Sequence, residues 1–552
     1  MKKTAIILAA LLAASAFAGM RAGNSDSKDT FFRKLNTFNS VVRELQTGYV
    51  DTIDAEELMD NAIGMMLYQL DPYTEYYPSG NQDEILALSA GSYAGIGSII
   101  SKRGDNVIIA DPYWNSPART GGLRRGDVIV AVDGDTVRPT TDIGDVSKRL
   151  RGQAGTNVRI DVARPWIGPD SLLTFEITRR AIVTEPVPYY GMLPDSTGYI
   201  CLTTFSESAA RDVKSALTKL LAHPGLKGLI IDMRNNGGGL LEDAVQIASL
   251  FVPRGTEILR TRGREAEERI YKTTVNPIAP ELPLVLLVNG QTASSSEILA
   301  GAMQDLDRGV VVGSRTYGKG LVQSTRPLPY GDIMKLTTAR YYIPSGRLIQ
   351  ALNYSERNDD GSPKRTPDSL TTAYSPAAGR EVRDGGGITP DIAIEEKTTN
   401  RLLYNILSDW WAFDFANRHY AANPTTPPVD AVLADSAVVA QFKAFIDPSR
   451  FNYDRYFEKN LAIFRKAAES EGYMNDSVAA AFDALGALLH HDLEHDLDIN
   501  TEEITEILEA ELGKRYFSEG DNVRRTLSGD STVILAGEII NDGDRYRSIL
   551  RP

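Results

Sequence analysis

The spacing of apolar positions along this chain changes several times, and each change marks a different kind of structure. From about Thr30 to Pro78 the spacing is helical. Phe38, Val41, Val42 and Leu45 fall on one face, as do Leu58, Ala62, Met65 and Met66, and both stripes are expected to be core. The segment leaves through an aromatic, turn-rich exit, Leu70-Asp71-Pro72-Tyr73-Thr74-Glu75-Tyr76-Tyr77-Pro78. At Gly91 the pattern turns to short β-type runs between glycine turns: Ile96–Ile100, Val107–Ala110, Val128–Val132, Val158–Val162 and Leu172–Ile177.

Between about Ile182 and Ile394 strand and helix patterns alternate. Gly228–Met233, Leu284–Val288 and Val310–Gly313 read as buried strands. Ser296–Leu306 reads as a helix, as does the run through Leu241, Val245, Ala248 and Leu250. This alternation predicts an α/β layer with its ligand crevice at the C-terminal ends of the strands. Tyr354–Arg383, rich in Pro, Ser, Asp and Gly, reads as a long surface loop. Beyond Glu396 the pattern is helical again, through Leu402-Leu403, Ile406-Leu407 and Trp410-Trp411. Val438–Ile446, Tyr456–Glu471, Val478–His490 and the acidic Glu502–Leu512 continue it.

The chain's 552 residues are enough for about three or four domains, each with its own core. A net charge of −14 argues against a nucleic-acid partner, which would need a basic face. The N-terminus has the form of an export signal: Met1-Lys2-Lys3, an apolar Ala5–Ala14 and a small-x-small Ala16-Phe17-Ala18. The one cysteine, Cys201, sits in an apolar strand-like run, so no intrachain disulfide forms and the thiol is expected to be structural.

The most concentrated chemistry lies in Asn289–Gln323. Three serines, Ser294, Ser295 and Ser296, open a helix directly after a buried strand, and Ser294 with Glu297 forms a capping-box pattern. A helix start there would offer backbone N–H groups to developing negative charge. The five histidines, His223, His419, His490, His491 and His495, do not support a Ser-His-Asp triad. Lys319, between Gly318 and Gly320 after an apolar strand, could serve as base if burial kept its amine neutral. Gly237-Gly238-Gly239, after the strand at Gly228, can turn backbone N–H groups inward as an oxyanion site. These arguments do not separate the three serines.

Gly122-Leu123-Arg124-Arg125-Gly126-Asp127-Val128-Ile129, closed by Asp133-Gly134, resembles the signature of a PDZ domain. That resemblance places a carboxylate-binding loop at Tyr93-Ala94-Gly95-Ile96-Gly97, beside which a peptide C-terminus would add as a strand. Further on, Thr292-Ala293-Ser294-Ser295-Ser296-Glu297 and Tyr317-Gly318-Lys319-Gly320-Leu321-Val322-Gln323 resemble the two active-site motifs of the C-terminal processing (tail-specific) proteases. The resemblance covers roughly Val41 to Ile394, including Leu70–Thr74 and Gly386-Gly387-Ile388-Thr389-Pro390-Asp391. It implies Ser294 as nucleophile, Lys319 as base and Gln323 as the group that orients it. It also implies oxyanion donors from Gly237 or Gly238 and from the Ser295 N–H. The implied fold class is multidomain α+β: a helical N-terminal region, a β-rich PDZ domain, an α/β (ClpP/crotonase-like) catalytic domain and a helical C-terminal domain.

The expected boundaries are 1–18 for the signal, 19–85, 86–180 for the PDZ domain, 181–398 for the catalytic domain and 399–552. The function expected is an exported serine endopeptidase, periplasmic or cell-envelope, that binds proteins or peptides with free C-termini. It would be membrane-associated if the signal is retained. No cofactor and no metal are expected. A homodimer or adaptor contact through the C-terminal helices stays open, and a non-catalytic PDZ tail-binding scaffold is the alternative. Two rival patterns are weaker. Gly313–Lys319 approaches a P-loop, but Gly320 stands where magnesium ligation needs Ser or Thr. His491-Asp492-Leu493-Glu494-His495 fits a zinc-peptidase pattern without an evident third ligand.

Overall fold

The computed structural model describes residues 29–79, 92–168, 171–183, 185–264, 267–395, 399–452, 456–489 and 492–551. The expected export signal, His490 and His491 lie outside the described residues. Two compact units are formed, one by residues 1–80 with 323–337 and the other by 81–322 with 338–552.

In the first unit, helices occupy residues 29–48 and Ala55–Tyr68. Asp54 caps the second, accepting the Glu56 and Glu57 N–H groups at 3.0 and 3.1 Å. The expected stripes are nevertheless not core: Phe38, Val41, Met65 and Met66 are 43% to 62% exposed. Helical periodicity shows that an apolar face exists but not what covers it. At the exit, the buried Asp71 carboxylate accepts the Tyr73 and Thr74 N–H groups and the Thr337 hydroxyl. The short strand Glu75–Tyr77 then pairs antiparallel with Ile333, Met334 and Lys335.

The second unit begins with the β-rich domain. Its sheet runs in the order Ser98–Arg103, Asn106–Pro112, Val128–Val132, Asn157–Ala163 and Leu172–Thr178. Alternate residues such as Val158, Ile160 and Val162 point into a core with Ile109, Leu123 and Val146. Asp127 of the Gly-Asp turn is fully buried and pairs with Arg164 at 2.7 Å, which holds that turn against the sheet. Ser98–Arg103 is an edge strand, and the helix Ile143–Leu150 packs beside it.

The second sheet has the order Tyr189–Met192, Thr197–Cys201, Gly228–Asp232, Leu284–Val288, Val310–Gly313 and Ile392–Ala393. The first pair is antiparallel and the rest are parallel. Side chains alternate between two cores. Leu229, Ile231, Leu284, Leu286 and Val288 face the helices Ala209–Leu221, Leu241–Ala248 and Ser295–Asp305. Ile230, Val285, Leu287, Val310 and Val312 face the other way, against Val533, Ala536, Ile539, Ile540 and Tyr546. These last residues belong to the helices Ser531–Asn541 and Gly543–Leu550 near the end of the chain. The Tyr546 hydroxyl accepts the Leu284 N–H at 2.9 Å, which registers the helix on the strand.

The helices Arg401–Ser408, Trp411–Ala422, Ser436–Phe445, Leu493–Ile499 and Thr501–Tyr516 enclose a separate core around Phe415, Phe442, Leu508 and Leu512. Beyond Leu512 the expected helical C-terminal region continues through Glu519–Thr526 and the two sheet-covering helices. The expected loop at Tyr354–Arg383 instead contains two small antiparallel ladders, Leu352–Arg357 with Pro363–Arg365 and Ala373–Tyr374 with Val382–Arg383. Its polar, mostly exposed residues hide that pairing from a hydrophobicity pattern. Among the described residues no helix is long and apolar enough to cross a membrane.

Ile539 is fully buried between its helix and the sheet. Ile539→Ala is therefore expected to destabilise the second unit by about 2–5 kcal/mol, read as a lower urea midpoint. An unchanged midpoint would mean that the C-terminal helices do not complete this core.

Candidate active site

The buried strand Leu284–Val288 ends at Asn289, and the chain turns through Thr292 into the helix Ser295–Asp305. Thr292 sits inside this turn, accepting the Asn289 N–H at 2.9 Å and donating to the Met233 carbonyl at 2.9 Å. Ser294 caps the helix with φ 57° and ψ −118°. A β-carbon makes that conformation strained, and such strain clusters at functional sites. Ser294 is also the only partly exposed member of the three serines. The Ser295 hydroxyl donates to the Gly239 carbonyl at 2.8 Å and the Ser296 hydroxyl to the Asn236 carbonyl at 3.0 Å. Geometry separates what the sequence left together.

Glu297 lies under the site, fully buried. Its carboxylate accepts the Ser294 N–H at 2.9 Å, as the capping pattern requires. It also accepts the Gly318 N–H at 2.8 Å, the Lys319 N–H at 2.9 Å and the Thr316 hydroxyl at 2.5 Å. One carboxylate thus ties the backbone of Ser294 to that of Lys319. Burial pushes the Glu297 carboxyl up to about 7, outweighing the donors that favour its charged form. From the other side, the buried Tyr341 hydroxyl donates to the Lys319 carbonyl at 2.6 Å. Lys319 itself is partly buried.

The glycine loop follows the strand Gly228–Asp232. The buried Asn236 side chain donates to the Leu202 carbonyl and accepts the Gly238 N–H at 2.9 Å. Gly238 has φ +99°, and a β-carbon there would lie 2.8 Å from Ser294 Cβ and 2.9 Å from the Ser295 nitrogen. Only glycine fits that approach. Gly237 is exposed, with nothing within 4 Å of where a β-carbon would be. The loop is locked to the serine turn by Asn235 and Asn289, which exchange two hydrogen bonds of 2.9 Å. Behind it, Arg234 lies between Asp232 and Asp530, at 2.6 and 2.7 Å.

The later family motif acts through Thr316. Ile388 exchanges hydrogen bonds with it, and Gly387 leaves no room there for a side chain. The P-loop reading loses its physical basis. The N–H groups of Thr316, Tyr317, Gly318 and Lys319 are spent on Ile388, Thr292 and Glu297, so they cannot cradle a phosphate. His223 lies in the turn before Gly228, at the N-terminal end of that strand, whereas the serine turn follows the C-terminal end of the parallel neighbour Leu284–Val288. Among the described residues no group of acidic, His or Cys side chains could hold a metal, and His491 is outside them. Burial pushes the Cys201 thiol up to about 12, so it is not a thiolate nucleophile. Gln323 belongs to the first unit, where its amide donates to the Thr337 hydroxyl at 3.3 Å.

In the β-rich domain, Tyr93, Ala94 and Gly95 lie in a strand, Ser92–Gly95, paired with Arg180–Val183. The expected binding loop narrows to a turn at Ile96 and Gly97, the latter with φ +71°. The Ile96 carbonyl accepts the Ala118 N–H and the Gly97 carbonyl accepts the Tyr113 N–H. In trans peptides this turns the Gly97 and Ser98 N–H groups the opposite way. Asn236, Asn289, Glu297, Thr316 and Tyr341 were not singled out as site residues. Only Glu297 had a local signal, its capping spacing.

Three family models match the chain: peptidase family S41 over residues 196–354, a PDZ domain over 108–164, and the C-terminal helical domain of probable PDZ-proteases over 402–540. The carboxy-terminal-processing protease of Bartonella bacilliformis is 31% identical over 345 residues, covering 62% of this chain and 78% of its own. The carboxy-terminal processing protease of Bacillus subtilis is 30% identical, covering 62% of this chain and 74% of its own. The chloroplastic C-terminal processing peptidase of Tetradesmus obliquus is 35% identical, over 53% and 66% respectively. Fold and matches together define a serine-type peptidase that carries a PDZ domain. The chain belongs to the carboxy-terminal processing protease family.

Glu297→Gln would turn an amide NH2 toward N–H donors and is expected to cost about 1–3 kcal/mol. Because burial raises the Glu297 carboxyl from 4.5 to about 7, its contribution is full below pH 4.5 and is lost as the pH rises to about 7. The parent's stability margin over the Gln variant should therefore shrink across that window in stepped-pH urea unfolding. A margin that grows with pH would contradict it.

Proposed function

We propose that this chain is an exported serine endopeptidase that cleaves near the C-termini of protein and peptide substrates, with Ser294 as nucleophile and Lys319 as base. The observation that carries this reading is the strained, partly exposed Ser294, held by the same carboxylate that holds Lys319. Neutral Lys319 takes the Ser294 proton as the hydroxyl attacks the scissile carbonyl. The proton then passes to the leaving amine, and water hydrolyses the acyl-enzyme. Gly237 and Ser295 supply the oxyanion N–H groups. The Gly238 N–H is the weaker candidate because Asn236 already accepts it.

A substrate tail would add along the edge strand Ser98–Arg103, its carboxylate taken by the Gly97 and Ser98 N–H groups. The names of the relatives support the preference for C-termini. The N-terminal charge and apolar pattern supports export to the periplasm or cell envelope.

Peptides with free and amidated C-termini, followed by mass spectrometry, test the reading. The parent is expected to cleave the free form faster, with activity rising with pH as Lys319 deprotonates. Ser294→Ala and Lys319→Ala should each lose activity by about a thousandfold or more. Retained cleavage in Ser294→Ala would remove the nucleophile assignment. Tail binding without cleavage in the parent would favour the scaffold.

A further inference from the structure

The strand Gly228–Asp232 delivers the glycine loop, and its exit is gripped by a side chain from far along the sequence. Arg234 Nη2 donates to Asp232 Oδ2 at 2.6 Å and to Asp530 Oδ2 at 2.7 Å, while its Nε donates to Asp232 Oδ1 at 3.0 Å. Asp530 is itself immobilised. Its other oxygen, Oδ1, caps the helix Ser531–Asn541 by accepting the Thr532 and Val533 N–H groups at 3.0 and 3.1 Å. That helix is anchored by Val533, Ala536, Ile539 and Ile540 on the face of the sheet that contains the same strand. The Asp530 carboxylate therefore stands at a fixed height above the strand end, with one oxygen for its helix and one for Arg234.

Arg234 is followed at once by Asn235, whose positive φ of 62° turns the chain and whose two hydrogen bonds with Asn289 tie the turn to the serine loop. Gly237 comes two residues later. Charge-assisted, two-sided contacts on a guanidinium fix its plane, so they fix the backbone that carries it. We propose that Asp530 is a positioning residue for the oxyanion loop, by which the C-terminal segment holds Gly237 in line with Ser295. The proposal rests on the reading of Gly237 and Ser295 as oxyanion donors.

The test uses the full-length chain. Asp530→Asn retains the capping oxygen, because Asn caps helices about as well as Asp, but removes the charge facing Arg234. Asp530→Glu restores the charge at a longer reach. For Asp530→Asn, kcat on a free-tailed peptide is expected to fall about tenfold with KM within twofold. Affinity for a peptide boronic acid, which fills the oxyanion position, should fall about as much as kcat. Binding of the uncleaved peptide to the Ser294→Ala form should stay unchanged, and Asp530→Glu should recover part of the loss.

Hydrogen exchange gives a readout that does not need activity. In the Ser294→Ala background, Asp530→Asn should speed exchange across residues 234–238 while Leu284–Val288 stays protected. Unchanged kcat together with unchanged exchange at 234–238 would overturn the proposal. So would a kcat loss matched by a fall in thermal midpoint or in binding of the uncleaved peptide. If the parent itself proves inactive, the functional reading fails, and the exchange experiment still decides whether Asp530 orders the loop.

Discussion

A parallel sheet is buried on both faces, so each of its strands needs an apolar layer on either side. In this chain the two layers come from distant parts of the sequence. The helices that follow the strands in order cover one face, and Ser531–Asn541 with Gly543–Leu550 cover the other. Without the last helices, Ile230, Val285, Leu287, Val310 and Val312 would face water. The end of the chain is in this sense part of the sheet domain rather than an appendage. It also brings a polar residue, Asp530, to the strand end where the glycine loop begins.

The geometry at the serine follows from that rigid sheet. A residue held at positive φ with a β-carbon costs of order 1–3 kcal/mol, and such a conformation persists only where its surroundings over-determine it. Around Ser294 they do. The strand before it and the helix after it are buried, Gly238 packs against its β-carbon, and Glu297 holds its N–H. Because the same carboxylate holds the Gly318 and Lys319 N–H groups, serine and lysine loops are set by one buried group rather than by two independent turns. The burial that makes Glu297 a precise anchor is also what raises its carboxyl toward neutrality.

Much of this was legible in the sequence. The strands at Val128, Gly228, Leu284 and Val310 and the helix after Ser294 lie where apolar periodicity places them. Motif resemblance singled out Ser294 among three serines, and in the structure carbonyls take the hydroxyls of the other two. The residues missed share one property. Asn236, Asn289, Thr316 and Tyr341 are ordinary polar side chains locally, and each matters through a partner on a different element. The N-terminal stripes illustrate the converse, since the apolar face was read correctly and its burial was not.

By itself, then, the chain's pattern determined the order of elements, the strand and helix faces, and the short stretches able to carry chemistry. These depend on spacing over a few residues, which local backbone geometry converts directly into structure. The tie between the Ser294 and Lys319 backbones through Glu297, the capture of the Gly238 N–H by Asn236, and the closing of the sheet's second face did not follow from spacing. Each depends on which side chain reaches which backbone group across segments far apart in sequence, and folding alone brings those groups together. The stretch from Asn289 to Gln323 concentrates the candidate chemistry, while the Asn236 carbonyl and the Tyr341 hydroxyl, both outside it, hold its Ser296 hydroxyl and its Lys319 carbonyl.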